Sequence, residues 1–504
     1  MELQRLPKLE IFWNGLVGIG SIATVCYQVY SDSRKYFSRL DFDNFIPGWN
    51  ILPYQKDVSN FEWNFWFRYF WKILPWFLLY SSLGLVSQLL KIRRRRCYIM
   101  LTALSLCCLT YLLGVKIIAF YLLHCSIAFA SSCTGNKIVV WGTTLSLLST
   151  LNIEMFNANF MRHVYNASED SEGKNYYLFV FCLALINLRY ISFSLERCDS
   201  QTSKSGFIDM IIYVFYLPLF FTGPVLTYDL FLKQIIQDPP PWTFIRIKQS
   251  LFNFARVLVW VAFNEFILHF LYFGAIHQRL DVLQEISLWT LVGLAYCEGQ
   301  FFMNKYLVIY ELPGQLAKLE GIEAPRGPKC ISYIYRYSDL WKTFDKGFYN
   351  FLKRYVYIPV GGSRNGLLRQ LFGSFICFMF IFIWHGAEFY LFMWCILNYV
   401  GCTVEFFGDW FVNTSYTQKY INKISVYNRN RLKGLLSVPL YLVSSMGIFV
   451  FFNGSSVGRI FFYRLLVNIT WPSFMFFLYL LYCNIQNAIQ VQYFMVQRTK
   501  SKFT

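Results

Sequence analysis

Hydrophobic residues in this chain run in blocks of about 20, the length an α-helix needs to cross a bilayer core. Such blocks predict spans near residues 10–30, 66–90, 97–114, 115–133, 138–156, 175–195, 207–227, 250–275, 286–311, 370–385, 387–407, 435–453 and 471–492. Polar or proline-rich breaks separate them. KIRRRR at 91–96, CDSQTSKSG at 198–206, QDPPPW at 237–242 and residues 408–434 read as loops, the third because consecutive prolines cannot continue a helix. Residues 31–65 mix charge with aromatics and read as an interfacial loop. Residues 312–366 are too polar for a span and too aromatic for a solvated linker. Irregular backbone at membrane depth is tolerated where protein buries it or a cavity receives it, so this segment predicts re-entrant or interfacial helices. The pattern gives an all-α polytopic membrane protein of 10–13 transmembrane helices in one membrane domain, residues 1–504. Residues 1–30 read as an N-terminal transmembrane helix acting as an uncleaved anchor, and 312–407 as the catalytic core segment.

Composition narrows the class. The 504 residues are 56% hydrophobic and 15% charged, outside the range of soluble globular chains. The net charge of +18 reads as basic loops held at the cytoplasmic side near anionic lipid, with the four adjacent arginines at 93–96 as the clearest such loop. The basic residues are scattered between apolar blocks and form no separate basic domain, which argues against a nucleic-acid partner. Of the 14 cysteines, many lie inside apolar runs and read as small buried hydrophobes, and no zinc spacing occurs. Cys330 differs, lying in the polar loop APRGPKCISY.

Two ionisable residues stand where an ordinary membrane helix would carry leucine. A charge at the bilayer centre costs roughly 2.5–3.5 kcal/mol on insertion scales, so Asp345 and His385 are expected to face a cavity or a partner. Imidazole exchanges protons near neutral pH, and acyl transfer to an amine or hydroxyl needs a base. His385 is flanked by Trp384 and by Gly386, which permits close approach of a chain or ligand. Asp345 is its candidate partner, orienting the imidazole or steadying its charge; the structural alternative pairs Asp345 with Lys342, Lys346 or Arg354. His124 and His269 read as core or interfacial residues, and His163 and His277 as loop-end residues. A transporter using Asp345 and His385 as a proton relay is the competing class.

Five stretches carry a resemblance: FEWNFW at 61–66, YYLFVFCLALINLRYISFSLE at 176–196, YVFYLPLFFTGPVL at 213–226, WKTFDKGFYNFLKRYVYIPVGGS at 341–363 and WHGAEFYLFMWCILNYVGCTVE at 384–405. In these the chain resembles the membrane-bound O-acyltransferase (MBOAT) superfamily, and within it the hedgehog acyltransferases. The resemblance implies helices around a membrane-spanning tunnel, in a multi-pass protein of the endoplasmic reticulum membrane, with the Golgi as the alternative. It implies transfer of palmitate from palmitoyl-CoA to the amino-terminal cysteine of a Hedgehog-type secreted protein, with EGF-like ligands as further substrates; an MBOAT acting on a lipid or sterol hydroxyl is the nearest enzymatic alternative. His385 falls on the hallmark histidine and Asp345 on its partner aspartate. Trp341 falls on an aromatic beside the acyl-donor path, and Cys330 on a cysteine that ligates haem B iron through its thiolate. The expected substrate-binding set is Trp341, Lys342, Arg354, Trp384 and Asn398. The family position after the tryptophan can be Arg; Lys342 keeps the charge and loses the bidentate fork, which weakens the specificity of a phosphate contact to CoA.

Overall fold

The computed structural model describes residues 5–152, 169–199 and 205–500. His163, the end of the 138–156 block and most of the loop at 198–206 lie outside the described residues. The chain opens with α1 (Lys8–Lys35), followed by short turns and a two-residue antiparallel pair, β1 (Phe45–Ile46) and β2 (Lys56–Asp57). Helices α2 (Phe61–Leu89), α3 (Arg94–Leu113), α4 (Val115–Cys133), α5 (Lys137–Ser149) and α6 (Glu169–Arg197) follow. FEWNFW therefore opens α2, whose first turn is closed by the Asn60 side chain accepting from Trp63 N.

Among the described residues ten helices are long and apolar enough to cross a membrane. The most enclosed is α6, with 83% of its apolar window buried, so it forms an axis of the first half. In lipid such packing is driven by van der Waals fit and internal hydrogen bonds, because lipid tails are as apolar as the side chains.

The 207–227 block is not a span. It breaks into α7 (Phe207–Val214), α8 (Leu217–Phe220) and extended chain, and all three pieces are largely buried. Hydropathy misread it because a break in a helix frees carbonyls that must find donors. The donor is a charge on another element: buried Arg189 of α6 donates to Val214 O at 2.7 Å and to Leu219 O. Ser192 Oγ accepts from Tyr228 N at 2.8 Å, and Tyr213 OH donates to Leu226 O at 2.6 Å, fixing the end of the re-entrant segment.

The chain continues through α9 (Tyr228–Ile236), α10 (Phe244–Ile267), α11 (Phe273–His277), α12 (Leu280–Glu285) and α13 (Leu288–Leu319). His277 does stand at a loop end, as the last residue of α11, but it is buried there, 3% exposed, with its Nδ1 2.9 Å from Glu298 of α13. His269 is satisfied on both nitrogens, by Glu265 O at 2.8 Å and Trp49 N at 3.0 Å. The expected span at 286–311 lies inside α13, which carries Glu298, Lys305 and Glu311 and is not among the ten.

Residues 320–366 fold as short pieces, among them α14 (Tyr337–Thr343) and α15 (Lys346–Leu352), which continues into a π-turn over Lys353–Tyr357. The expected re-entrant or interfacial helices are these. The remaining helices are α16 (Leu367–Trp384), α17 (Phe389–Val412), α18 (Ser415–Ile421), α19 (Val426–Phe462) and α20 (Trp471–Lys500). The expected loop at 408–434 is largely helical, since α17 runs to Val412 and α19 begins at Val426. Polar residues there lie on exposed helix turns, which hydropathy cannot tell from loop. A kink at Gly454, with φ of 74°, bends α19 beside the site.

Candidate active site

Asp345 is the N-cap of α15. Its Oδ1 accepts from Phe348 N at 2.8 Å, the usual way an aspartate satisfies a free amide in a first turn. Its Oδ2 accepts from the Tyr310 hydroxyl of α13 at 2.8 Å. Gly347 in the same turn presses on the backbone of Val225, where a Cβ would collide with the carbonyl, so the re-entrant segment and α15 are locked together. Burial pushes the Asp345 carboxyl above its ordinary range, while the bonds from Phe348 N and Tyr310 oppose that rise. Among the described residues Asp345 has no ion-pair partner. Lys342 lies 3.6 Å from Asp339, and Arg354 holds Glu196 at 2.5 Å and Asp229 at 3.4 Å. Among the described residues Lys346 makes no ion pair with Asp345 either, so the structural alternative in which Lys342, Lys346 or Arg354 neutralises it is removed.

His385 ends α16. Its amide bonds to Ile381 O, and the chain then turns through Gly386 at φ 115° and Ala387 at φ 59°. Left-handed backbone at a non-glycine residue is uncommon and costs about 1–3 kcal/mol, so Ala387 marks a turn held in place by its surroundings. A Cβ built on Gly386 meets nothing within 4 Å. As a residue His385 is exposed, and aromatic rings surround its imidazole: Trp384 at 4.7 Å, Phe451 at 5.4 Å and Trp394 at 5.8 Å between centroids.

Aromatic contacts join the two groups. Phe348, whose amide caps on Asp345, stacks against Trp384 at 4.8 Å, and Trp384 donates Nε1–H to Ala184 O at 3.1 Å. Trp341 lies 5.6 Å from Trp394 and donates to Asn398 Oδ1 at 3.3 Å, so Trp341, Trp384 and Asn398 belong to one wall around His385. Among the described residues no hydrogen bond joins Asp345 to His385. Lys342 and Arg354 are exposed and stand outside this wall, Arg354 committed to Glu196.

Sequence reasoning missed the polar chain behind Asp345. Tyr310 lies 5.3 Å from Tyr306 between rings; Tyr306 donates to Glu62 at 3.0 Å, and Glu62 pairs with Lys305 at 2.5 Å. The available signal was a lysine inside an apolar block with tyrosines at positions 306 and 310, which share a helix face.

A family model described as MBOAT, membrane-bound O-acyltransferase family, matches residues 133–432, more than half of the chain. The chain belongs to the membrane-bound O-acyltransferase family. This MBOAT chain is 32% identical over 489 residues to the mouse protein-cysteine N-palmitoyltransferase HHAT, covering 93% of this chain and 94% of that one. It is 24% identical to the Drosophila melanogaster protein-cysteine N-palmitoyltransferase Rasp, covering 90% and 89%. To the mouse protein named protein-cysteine N-palmitoyltransferase HHAT-like protein it is 26% identical, covering 79% and 78%. The MBOAT match includes Asp345 and His385, so both groups lie within the part of the chain that carries the family pattern.

Proposed function

We propose that this protein is a protein-cysteine N-palmitoyltransferase that moves palmitate from palmitoyl-CoA to the amino-terminal cysteine of a Hedgehog-type secreted protein, in the endoplasmic reticulum membrane. One observation carries the reading: an imidazole at the end of a membrane-spanning helix, walled by tryptophans, in a chain 32% identical to HHAT over nearly its whole length. The aromatic wall of Trp341, Trp384 and Trp394 suits a fatty chain, and the open side of Gly386 suits the approach of a peptide terminus. His385 takes the proton released as the nucleophile adds to the thioester carbonyl; the carbon–sulfur bond then breaks, and the imidazolium returns the proton to the departing CoA thiolate. Direct attack by the amine and attack by the cysteine thiol followed by an S-to-N shift both conserve this proton path. Asp345, held by Tyr310 and its own helix, positions the incoming amine.

Cys330 is the candidate haem ligand. Among the described residues no three His, Cys, Asp or Glu side chains converge, so a bare metal ion has no ligand set. The half-buried Cys330 would hold haem by its sulfur, since haem needs fewer protein ligands than a bare metal ion. Bound haem would supply an iron centre at that loop, and the acyl transfer above uses none of it. A Soret band in purified protein that disappears in Cys330→Ala supports the assignment; an unchanged spectrum removes it.

The deciding assay gives purified protein palmitoyl-CoA and a Hedgehog amino-terminal peptide in detergent, beside the same peptide with its terminus acetylated. Amide-linked palmitate on the free peptide alone is expected. Thioester consumption only with a lipid or sterol acceptor would replace this reading with the lipid-acylating one, and no consumption at all would return the transporter.

A further inference from the structure

A cavity of about 830 Å³ opens where α2 ends, α3 begins and α9 meets the proline loop, well away from the site above. Tyr310, which holds Asp345, and Glu320, which lines this cavity, are ten residues apart along α13, about 15 Å at the rise of an α-helix. The volume lies within the ~300–1,000 Å³ of small-molecule sites. Its walls are apolar, from Leu101, Ile212, Phe231, Leu232 and Ile235 among others, while Lys91, Arg93, Arg94 and Arg95 form a basic rim. Against these four cations stand Asp209 and Asp238, and Arg95 lies 3.5 Å from Asp209. Arg94 is spent on the backbone, donating to Gln237 O and Glu320 O, and Arg95 is shared with Asp209, so among the described residues Lys91 and Arg93 are the rim cations that pair with no acid.

Glu320 is the unusual member. It is 4% exposed, its Oε2 accepts from the Tyr216 hydroxyl at 3.2 Å, and its Oε1 has no hydrogen-bond partner among the described residues. Burial raises its carboxyl to about 8, against the opposing pull of Tyr216 and Arg94, and its place at the C-terminal end of α13 also disfavours charge. At neutral pH it is therefore chiefly the neutral acid, with a proton to donate. An unmatched polar atom at the inner end, a greasy wall and a cationic mouth describe the complement of one kind of molecule.

We propose that this cavity binds an anionic phospholipid, its phosphate at Lys91, Arg93 and Arg95, its acyl chains along α3 and α9, and an ester carbonyl accepting from Glu320. Four arginines in a row place this mouth at the cytoplasmic leaflet, where such lipids concentrate. A free phosphate would use the rim and leave the walls and Glu320 unexplained. The site is independent of the acyl-transfer reading and needs no part of it.

Native mass spectrometry of the purified full-length protein tests this with dioleoyl-phosphatidic acid, dioleoyl-phosphatidylcholine, inorganic phosphate and palmitoyl-CoA as separate probes. Phosphatidic acid should bind tightest, and Arg93→Ala/Arg95→Ala should weaken it about tenfold or more. Glu320→Gln, which keeps a donor, should retain binding that Glu320→Ala loses. Melting curves of each variant without lipid separate lost binding from lost folding, and turnover of the arginine pair variant in lipid-free detergent should equal wild type. Equal affinity for both lipids, binding of phosphate as tight as phosphatidic acid, or displacement of the lipid by palmitoyl-CoA would overturn the proposal.

Discussion

Two regions of this protein hold ionisable groups among apolar helices, and they do so in opposite ways. Around α2, α10 and α13 each carboxylate meets a cation: Lys56 lies 2.6 Å from Glu265, and Lys305 lies 2.5 Å from Glu62, with three of these four side chains less than a tenth exposed. Around α15 and α16, Asp345 and His385 have no opposite charge among the described residues and are served by a tyrosine, a backbone amide and aromatic rings. The first arrangement spends its charges on holding the bundle together. The second leaves a carboxylate and an imidazole free to respond to a third party, which is what proton transfer to and from a substrate demands.

The contrast can be broken most severely at His385. His385→Ala should lower peptide palmitoylation by about 10²–10⁴-fold, the usual worth of a general base, while the melting temperature stays near wild type, because among the described residues the ring holds no hydrogen bond or ion pair to lose. Turnover within threefold of wild type would remove the histidine from the chemistry. Next in size, Lys305→Met should cost about 3–5 kcal/mol of stability by stranding Glu62, and adding Glu62→Leu should restore much of it. Thermal melts in detergent read both; a single variant as stable as wild type would mean that the pair is not desolvated.

Smaller effects sharpen the comparison. Arg354→Ala should cost about 1–3 kcal/mol, because Glu196 beneath it is 4% exposed and would lose both hydrogen bonds from the guanidinium. Loss of acyl-CoA affinity with no change in melting temperature would instead make Arg354 a substrate residue. Least costly is Tyr310→Phe, at about 0.5–1.5 kcal/mol for one hydrogen bond. Its signature lies in pH: Tyr310 donates to the carboxylate and so favours the charged form, and without it the Asp345 carboxyl titrates higher still. If ionised Asp345 positions the amine, the acid limb of the rate profile should move to higher pH. An unmoved limb would detach Asp345 ionisation from turnover.

Much of the bundle could be read from hydropathy, since α1–α4, α6, α10, α16, α17, α19 and α20 were each marked by an apolar block. The failure at 207–227 has a specific cause. Its backbone is satisfied by Arg189, a residue of another helix, and no window along the chain carries that information. The loop assigned to 408–434 failed for a related reason, as solvent-facing helix and loop share one polar composition.

Asp345 and His385 could be singled out from the chain because an ionisable group in an apolar run is costly and therefore rare, a local property that any reader of the sequence can price. Which of them is paired is decided between elements. Only the folded chain turns Lys342 to Asp339 and Arg354 to Glu196, leaves Asp345 to Tyr310, and brings Trp341, Trp384, Trp394 and Phe451 together from four helices at His385. Sequence fixes what each residue would cost if buried alone. Tertiary structure assigns its company, because hydrogen bonds and ion pairs act over a few ångströms of space and are blind to separation along the chain.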